Sequence, residues 1–164
     1  MANALSLEHW VDVYRGDLGV ALSDTYTTEV FFQQFDKKFA KLFDGVRHDS
    51  GDPIEFAEKT IAHYEKCGVN PLFKYIIFSD GLNLEKVAEI TKACKGKIGI
   101  SFGIGTNLTN DVGVKPMNIV MKLIAAKSVV GDWIPTVKLS DEHGKYTGDP
   151  KMIELAKEFL RIND

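Results

Sequence analysis

Residues 45–53 read Gly45-Val46-Arg47-His48-Asp49-Ser50-Gly51-Asp52-Pro53. The stretch places a guanidinium, an imidazole, carboxylates and a hydroxyl between an apolar run that ends at Phe43 and a helix that begins at Pro53. Asp52 before Pro53 is typical of a helix start, because Asp caps helix N-termini and Pro fits the first helical position. The pattern therefore predicts a strand whose polar end lies before the next helix, where parallel α/β proteins bind their ligands.

Strands and helices alternate along the chain at short, even spacing. Strands are predicted over 18–22, 45–48, 75–78 and 97–102, and helices over 8–14, 28–43, 53–66 and 84–93. A longer apolar strand is predicted over 118–126, a strand that pairs with it over 134–139, and a closing helix over 152–160. Alternation of this kind predicts an α/β fold with a parallel sheet, either open or part of a barrel.

Polar residues follow each of the first four predicted strands. They are Asp24 after the first strand, Arg47 with Asp49 and Ser50 at the end of the second, Asp80 after the third, and Gly103, Gly105 and Thr106 after the fourth. Because the carboxyl ends of parallel strands meet at one edge of a sheet, we expect these residues on a single face. In a barrel, that face carries the active site.

Each charged residue of this set has a functional and a structural interpretation. Arg47 offers a planar set of donors suited to a carboxylate or phosphate, or it pairs only with Asp49 or Asp52; ligand contact is favoured. Asp24 and Asp49 could hold a divalent cation or ribose hydroxyls, or could cap the turns that follow them. His48 is expected to be buried and to support its neighbours rather than to transfer protons.

The remaining histidines and the glycine-rich stretch carry weaker signals. His9, His63 and His143 are expected at exposed helix or turn positions without a functional role. Residues 102–106, Phe-Gly-Ile-Gly-Thr, could present backbone N–H groups to a phosphate. The stretch has neither the third glycine of a dinucleotide-binding fingerprint nor the Gly-Lys-Ser/Thr of a P-loop.

Composition limits the classes of partner. The net charge of −3 gives no electrostatic reason to expect nucleic acid or an anionic membrane. No apolar run approaches the roughly 20 residues that span a bilayer. The first residues lack the basic and apolar regions of a signal peptide, so a cytoplasmic protein with Cys67 and Cys94 reduced is expected.

Four motifs follow one another at characteristic spacing. They are RHDSGDP at 47–53, FSD at 78–80, SFGIGTNLT at 101–109 and VKPMNIV at 114–120. In this order they resemble the nicotinate phosphoribosyltransferase family in its bacterial form, and the likeness runs from about residue 8 through KLSD at 138–141.

The resemblance implies an enzyme that joins nicotinate to phosphoribosyl diphosphate, giving nicotinate mononucleotide and diphosphate for NAD salvage. It further implies that ATP hydrolysis is coupled to the reaction through a phosphohistidine, that Mg²⁺ is required, and that the full-length protein is a homodimer. The implied fold is that of the type II phosphoribosyltransferases, an irregular (β/α) barrel with an added domain.

The family's site residues carry over by motif. Asp49 and Asp80 would bind the ribose hydroxyls, and Asp24 and Asp49 would share Mg²⁺. Arg47 would lie beside the pyridine and recognise the nicotinate carboxylate or the adjacent phosphate. The implied catalytic set is Arg47, Asp49 and Asp80; the implied substrate-binding set is Arg47, His48, Asp49, Ser50, Asp80, Gly81, Gly103, Gly105 and Thr106, the last three holding the 5′-phosphate. Gly81 stands where some members have Asn.

Family members are much longer than this chain. Residues 1–164 are therefore expected to be the C-terminal part of the barrel, without the N-terminal domain, the early barrel strands and the phosphohistidine segment. On its own such a fragment is expected to be inactive.

Two other functions stay open. One is a different phosphate-binding barrel enzyme, such as an aldolase or isomerase, which would need a buried lysine at a strand end; Lys122 and Lys138 are the candidates. The other is a non-catalytic half-barrel subunit that binds a partner through its open strand edges.

Overall fold

A sheet of four parallel strands forms the centre of the computed structural model, which describes residues 2–117, 119–142 and 145–162. In chain order the strands are β1 (Val20–Leu22), β2 (Gly45–His48), β3 (Tyr75–Phe78) and β4 (Gly99–Phe102). Val46 of β2 pairs with Ile76 of β3, and Ile76 pairs in turn with Ile100 of β4. The predicted α/β fold with a parallel sheet is confirmed. Among the described residues the sheet is open, with β1 and β4 at its edges.

Helices separate these strands and follow them. They are α1 (Ala2–Tyr14), α2 (Thr28–Gln34), α3 (Lys37–Leu42), α4 (Pro53–Lys66), α5 (Leu84–Cys94), α6 (Thr106–Thr109) and α7 (Pro150–Leu160). A 3₁₀ turn covers Pro71–Phe73. Helix α4 has its predicted bounds, because Asp52 and Pro53 mark its start in the sequence. Helix α7 begins two residues before its predicted start, since Asp149 caps it and Pro150 takes its first position.

The hydrophobic core lies between this sheet and helices α2, α3 and α4. Its aromatic part is a chain of rings in which Phe35 lies 4.8 Å from Phe31 and 6.4 Å from Tyr64, measured between ring centroids. Val46 and Ile76 of the central strands are fully buried against it. Burial of these side chains fixes α4 over β2 and β3, so the turn between β2 and α4 is held at a defined place.

The single helix predicted over 28–43 is wrong, because the structure has two helices there. Helix α2 ends before Phe35, and Asp36 caps α3 by accepting hydrogen bonds from the backbone N–H groups of Lys38 (2.8 Å) and Phe39 (3.2 Å). The aromatic side chains continue across the break and remain buried, which explains why the apolar periodicity predicted one helix.

The long strand predicted over 118–126 is also wrong in extent. Strand β5 covers only Ala125–Lys127, and it pairs antiparallel with β6 (Trp133–Pro135), the partner predicted over 134–139. Asn118 lies outside the described residues. Residues 119–124 are exposed and irregular, and at the end of this run Ile124 O accepts a hydrogen bond from the Thr136 N–H at 3.0 Å, next to the pairing of β5 with β6.

Within the described ranges, no helix is both long and apolar enough to cross a membrane.

Candidate functional site

The carboxyl ends of β1, β2 and β3 meet at one cleft of about 230 Å³. Asp24, Asp49 and Asp80 line it, each one or two residues beyond its strand. The cleft is also lined by the basic residues Lys122, Lys138 and Lys145 from the C-terminal part of the chain. The predicted convergence of polar strand ends on one face is therefore confirmed for the three aspartates. The cleft combines carboxylates with ammonium groups, a composition suited to a polyanion bound together with a cation.

Asp24 is a buried carboxylate whose two oxygens differ in their hydrogen bonding. Its side chain is 1% exposed, and Oδ2 accepts hydrogen bonds from Ser50 Oγ (3.0 Å) and Lys138 Nζ (3.1 Å). Oδ1 is buried and has no hydrogen-bond partner among the described residues. A buried carboxylate oxygen without a partner is costly, so this atom is suited to a ligand or cation in the cleft. Ser50 thus positions Asp24.

Arg47 and Asp49 form an ion pair at the end of β2. Arg47 Nη2 lies 2.6 Å from Asp49 Oδ1, and Arg47 Nε donates to Ser79 Oγ at 2.8 Å. Of the two structural partners considered for Arg47, Asp49 is the one it contacts, while Asp52 instead caps α4. The Arg47 side chain is 45% exposed. Ser79 and Asp49 therefore hold the guanidinium on one side, while the exposed part can still contact a ligand.

His48 is buried between aromatic rings, as predicted. Its ring centroid lies 5.1 Å from that of Phe56 and 5.6 Å from that of Phe78. Burial lowers the pKa of His48 below its ordinary value of 6.5, although the Gly51 carbonyl and the carboxylates of Asp80, Asp141 and Asp24 act in the opposite direction. The neutral ring donates its Nε2–H to the carbonyl oxygen of Gly51 at 3.2 Å. His48 therefore holds the turn that carries Asp49 and Ser50.

The glycine-rich stretch lies beside the cleft rather than in its lining. The Gly103 N–H donates to Phe78 O at 2.8 Å, so that amide belongs to the sheet. Thr106 begins α6, where N–H groups have no acceptor within the helix. Any amide donors for a phosphate therefore come from Gly105 and Thr106 more readily than from Gly103.

Gly81 follows Asp80 with a left-handed backbone, at φ of +53°. Glycine adopts this conformation without strain, and Asn is among the few other residues that tolerate it. Position 81 can therefore be occupied either by Gly, as in this chain, or by Asn, as expected in some members of the family.

Magnesium has a limited but adequate donor set in this cleft. Among the described residues, no group of three or more histidine, cysteine, aspartate or glutamate side chains is arranged to hold a metal ion. Mg²⁺ usually takes only one or two carboxylates and completes its octahedron with water and substrate phosphates. Asp24, whose Oδ1 has no hydrogen-bond partner in the described part of the chain, and Asp49 fit that requirement when a phosphate ligand is present.

Two residues organise this site in roles that the sequence did not predict, although Lys138 was considered as the lysine of an aldolase-type enzyme. Lys138 reaches Asp24 across 114 positions of the chain, and Ser79 lies between Arg47 and Asp49. Both were visible as polar residues next to a predicted strand end, within KLSD and FSD. Asp141 was also overlooked. It accepts hydrogen bonds from the backbone N–H and hydroxyl of Thr28 at 2.7 and 2.6 Å, and lines a neighbouring polar cleft of about 480 Å³.

The remaining histidines match their predicted exposure only in part. His9 is exposed, and His143 lies outside the described residues. The exposed position predicted for His63 is wrong: it is half-buried, its ring stacks on Phe32 and its Nε2 donates to Phe35 O at 2.6 Å. Burial lowers its pKa too. Cys67 and Cys94 are free thiols, as expected.

Neither candidate lysine provides the buried amine of an aldolase-type site. Lys122 is exposed and donates to Thr147 Oγ1 at 2.8 Å, and the Lys138 side chain is 38% exposed and paired with Asp24. A Schiff-base lysine needs a desolvated site that lowers its pKa. These contacts therefore disfavour that alternative.

Comparison with known proteins gives one consistent result. The sequence model of the Nicotinate phosphoribosyltransferase (NAPRTase) family matches residues 1–164. The nicotinate phosphoribosyltransferase of Chromohalobacter salexigens is 63% identical over 163 residues, which are 99% of this chain and 42% of that protein. That of Desulforapulum autotrophicum is 51% identical over 150 residues, or 91% of this chain and 39% of that protein.

Solved structures agree with the sequence matches. The crystal structure of nicotinate phosphoribosyltransferase from Porphyromonas gingivalis superposes with a TM-score of 0.95 at 56% identity, covering 99% of this chain and 42% of that one. The corresponding structure from Vibrio cholerae gives a TM-score of 0.89 at 35% identity, covering 98% and 39%. The fold is thus consistent with part of a type II phosphoribosyltransferase. The chain spans about two-fifths of the length of the curated relatives it matches.

Proposed function

The chain belongs to the nicotinate phosphoribosyltransferase family, and on that premise we propose that it carries the phosphoribosyl-binding part of an enzyme that joins nicotinate to phosphoribosyl diphosphate. The product would be nicotinate mononucleotide, used in NAD salvage. One observation carries the proposal: parallel strands bring Asp24, Asp49 and Asp80 to a single cleft, with Arg47 paired to Asp49 at its side. Such a cleft suits a sugar with several hydroxyls and an anionic leaving group.

The reaction places specific demands on these carboxylates. As diphosphate leaves C1 of the ribose and the pyridine nitrogen attacks, positive charge develops on the sugar ring. Fixed carboxylates beside the ring stabilise that charge without reorganising. Asp49 and Asp80 would serve this purpose while accepting hydrogen bonds from the ribose hydroxyls. Arg47 and Ser79 hold Asp49 through its Oδ1, which supports a fixed orientation.

The remaining residues of the cleft would bind and orient the substrates. Arg47 would recognise the nicotinate carboxylate through guanidinium N–H groups that Ser79 and Asp49 do not occupy. Gly105 and Thr106 would bind the 5′-phosphate, with Gly103 allowing its close approach. His48 and Ser50 would contribute indirectly, His48 by holding the Gly51 carbonyl and Ser50 by orienting Asp24.

Asp24 and Asp49 would hold Mg²⁺, which when bound neutralises charge on the departing diphosphate. The family resemblance alone supports ATP as co-substrate, a homodimer of the longer protein, a cytoplasmic location and a C-terminal position of this chain in the barrel. The non-catalytic half-barrel subunit remains the alternative, and the exposed apolar residues of 119–124 are the observation that favours it.

Calorimetric titration of phosphoribosyl diphosphate with Mg²⁺ into the chain tests the proposal. We expect binding by the wild-type chain and at least about tenfold weaker binding by Asp49→Asn, because a charged acceptor is lost. Asp111→Asn makes the same chemical change at an exposed residue that does not line the cleft, and this variant should bind like wild type. A folded wild-type chain that binds no phosphoribosyl diphosphate would contradict a ligand site formed by these residues alone.

A further inference from the structure

Ser79, the first residue after β3, joins three groups at the end of β2. Its hydroxyl oxygen accepts the Arg47 Nε–H at 2.8 Å, and it lies 2.8 Å from Asp49 Oδ1 and 2.9 Å from the carbonyl oxygen of His48. The Ser79 backbone N–H also donates to His48 O, at 3.1 Å. A single half-buried hydroxyl therefore contacts both members of the Arg47–Asp49 ion pair and the strand that carries them.

The Ser79 hydroxyl has one proton, so at any moment it donates either to Asp49 Oδ1 or to His48 O. His48 O already accepts the Ser79 N–H, whereas a hydrogen bond to a carboxylate is shorter and stronger than one to a carbonyl. Donation to Asp49 Oδ1 is therefore favoured. In that arrangement Ser79 accepts from Arg47 and donates to Asp49, and the ion pair closes a ring of three hydrogen bonds.

This ring determines which edge of the guanidinium is available. Nε and Nη2 lie on the same edge of an arginine, and here that edge is taken by Ser79 and Asp49. Nη1 takes part in neither contact. The edge formed by Nη1 and the second proton of Nη2 is thus the one that a planar anion can reach on this 45% exposed side chain.

We propose that Ser79 is a positioning residue that locks Arg47 and Asp49 into one rigid pair, so that Arg47 presents its Nη1–Nη2 edge to the carboxylate of the bound substrate. The part concerning the substrate rests on the proposed function, while the locking of Arg47 does not. Without the Ser79 hydroxyl, Nε loses its acceptor and the arginine side chain regains rotamer freedom, which must be lost again when an anion binds.

NMR of the ligand-free chain tests the locking directly. The arginines of the chain are Arg15, Arg47 and Arg161, so the Nε–Hε region holds few signals, and Arg47→Lys assigns the one of interest. We expect Ser79→Ala to speed exchange of the Arg47 Nε–H with solvent by about fivefold or more. Ser79→Thr keeps the hydroxyl and should restore slow exchange, while Ser128→Ala, an equal change at an exposed loop position, should leave the signal unaltered.

Titration with nicotinate forms the second arm. We expect Ser79→Ala to weaken nicotinate binding by about fivefold and Ser79→Thr to recover it. If Arg47 exchange is the same in Ser79→Ala as in wild type, the locking is overturned whatever the ligand does. If Ser79→Ala speeds exchange of the Arg47 Nε–H but the wild-type chain binds neither nicotinate nor phosphoribosyl diphosphate, the locking stands and the ligand site of the proposed function fails. If wild type binds nicotinate and Ser79→Ala binds it equally well, the presentation of Arg47 to the substrate is overturned.

Discussion

Lys138 Nζ lies 3.1 Å from Asp24 Oδ2, although the two residues are 114 positions apart in the chain. Backbone hydrogen bonds place the lysine: Lys138 and Thr147 exchange N–H···O bonds of 2.8 and 2.9 Å, and the Leu139 N–H donates to Thr25 O at 2.8 Å. Asp24 is almost completely buried, whereas the lysine is partly solvated. The ion pair therefore fastens the C-terminal part of the chain to the carboxyl end of β1.

Lys138→Met is expected to destabilise the fold by about 1–3 kcal/mol, because it leaves the Asp24 carboxylate buried without its counter-ion. This loss of stability is smaller than for a fully buried ion pair, because Lys138 is partly exposed and screened by water. Urea unfolding followed by circular dichroism measures it.

Lys122→Met is the matched control, since Lys122 lines the same cleft but donates to the neutral Thr147 hydroxyl. Its loss should cost less than about 1 kcal/mol. Adding Asp24→Asn to Lys138→Met should recover part of the lost stability. If Lys138→Met and Lys122→Met destabilise the fold equally, Lys138 does not stabilise it by neutralising the charge of Asp24.

The depressed pKa of His48 makes stability depend on pH. The unfolded chain binds a proton near pH 6.5, whereas the buried native ring binds one only at lower pH. The stabilising contribution of neutral His48 is therefore fully present above about pH 6.5 and is lost as pH falls from there through the native pKa. Half-buried His63 acts in the same direction.

Two measurements check this expectation. The imidazole C–H signals of His48 and His63 should titrate below pH 6.5 in NMR spectra of the folded chain, and the free energy of unfolding should fall between pH 7 and pH 5. His63→Gln should flatten part of that slope. A His48 signal that titrates above pH 6.5 would mean that the hydrogen bond to the Gly51 carbonyl and the neighbouring aspartates together outweigh desolvation.

Local signals in the sequence were sufficient for the region from β2 to α4. The apolar run of the strand, the polar turn and the Asp52-Pro53 helix start are all encoded within a few residues, and each element lies where it was predicted. The break between α2 and α3 was not predictable in the same way. Buried aromatic residues continue through it at helical spacing, and the break depends on where the Asp36 side chain finds its hydrogen bonds.

Long-range contacts account for the rest of the differences. The three aspartates were predicted on one face because each follows its own strand, a property of local pattern and sheet topology, and in the structure they line one cleft. The pairing of Lys138 with Asp24 depends on how the C-terminal part of the chain packs back, which no local pattern encodes. Similarly, the apolar run 119–124 has the composition of a strand, but the strand begins only at Ala125, where β6 lies alongside it.

Asp52 is expected to matter for stability and not for ligand binding. Its Oδ1 accepts the backbone N–H groups of Ile54 (2.9 Å) and Glu55 (2.8 Å), so Asp52→Ala should cost about 1 kcal/mol. Asp52→Asn keeps a capping oxygen and should cost much less. Thermal unfolding measures both, and calorimetry should give unchanged affinity for phosphoribosyl diphosphate. A large loss of affinity in Asp52→Asn would assign Asp52 to the ligand site.

Gly45 allows β2 and β3 to approach each other closely. A Cβ atom at this position would lie 2.0 Å from the carbonyl oxygen of Tyr75, and backbone cannot move aside as a flexible side chain can. Gly45→Ala should therefore destabilise the sheet by about 2–3 kcal/mol. Gly103→Ala, whose Cβ would meet Ser79 Cβ at an ordinary 3.4 Å, serves as control in the same unfolding assay. Similar midpoints for the two variants would refute a tight contact at Gly45.

Arg47 should distinguish nicotinate from nicotinamide, because only nicotinate carries a carboxylate for the guanidinium to bind. Arg47→Gln removes the charge and the paired N–H donors, so we expect nicotinate affinity to fall about tenfold and nicotinamide affinity to change by less than about threefold. Arg15→Gln makes the same substitution at an exposed residue and should leave both affinities unchanged. Competitive calorimetry on the folded chain gives both values. An equal loss for the two ligands would mean that Arg47 acts by holding Asp49 in place, and the carboxylate would then have to be recognised by another residue.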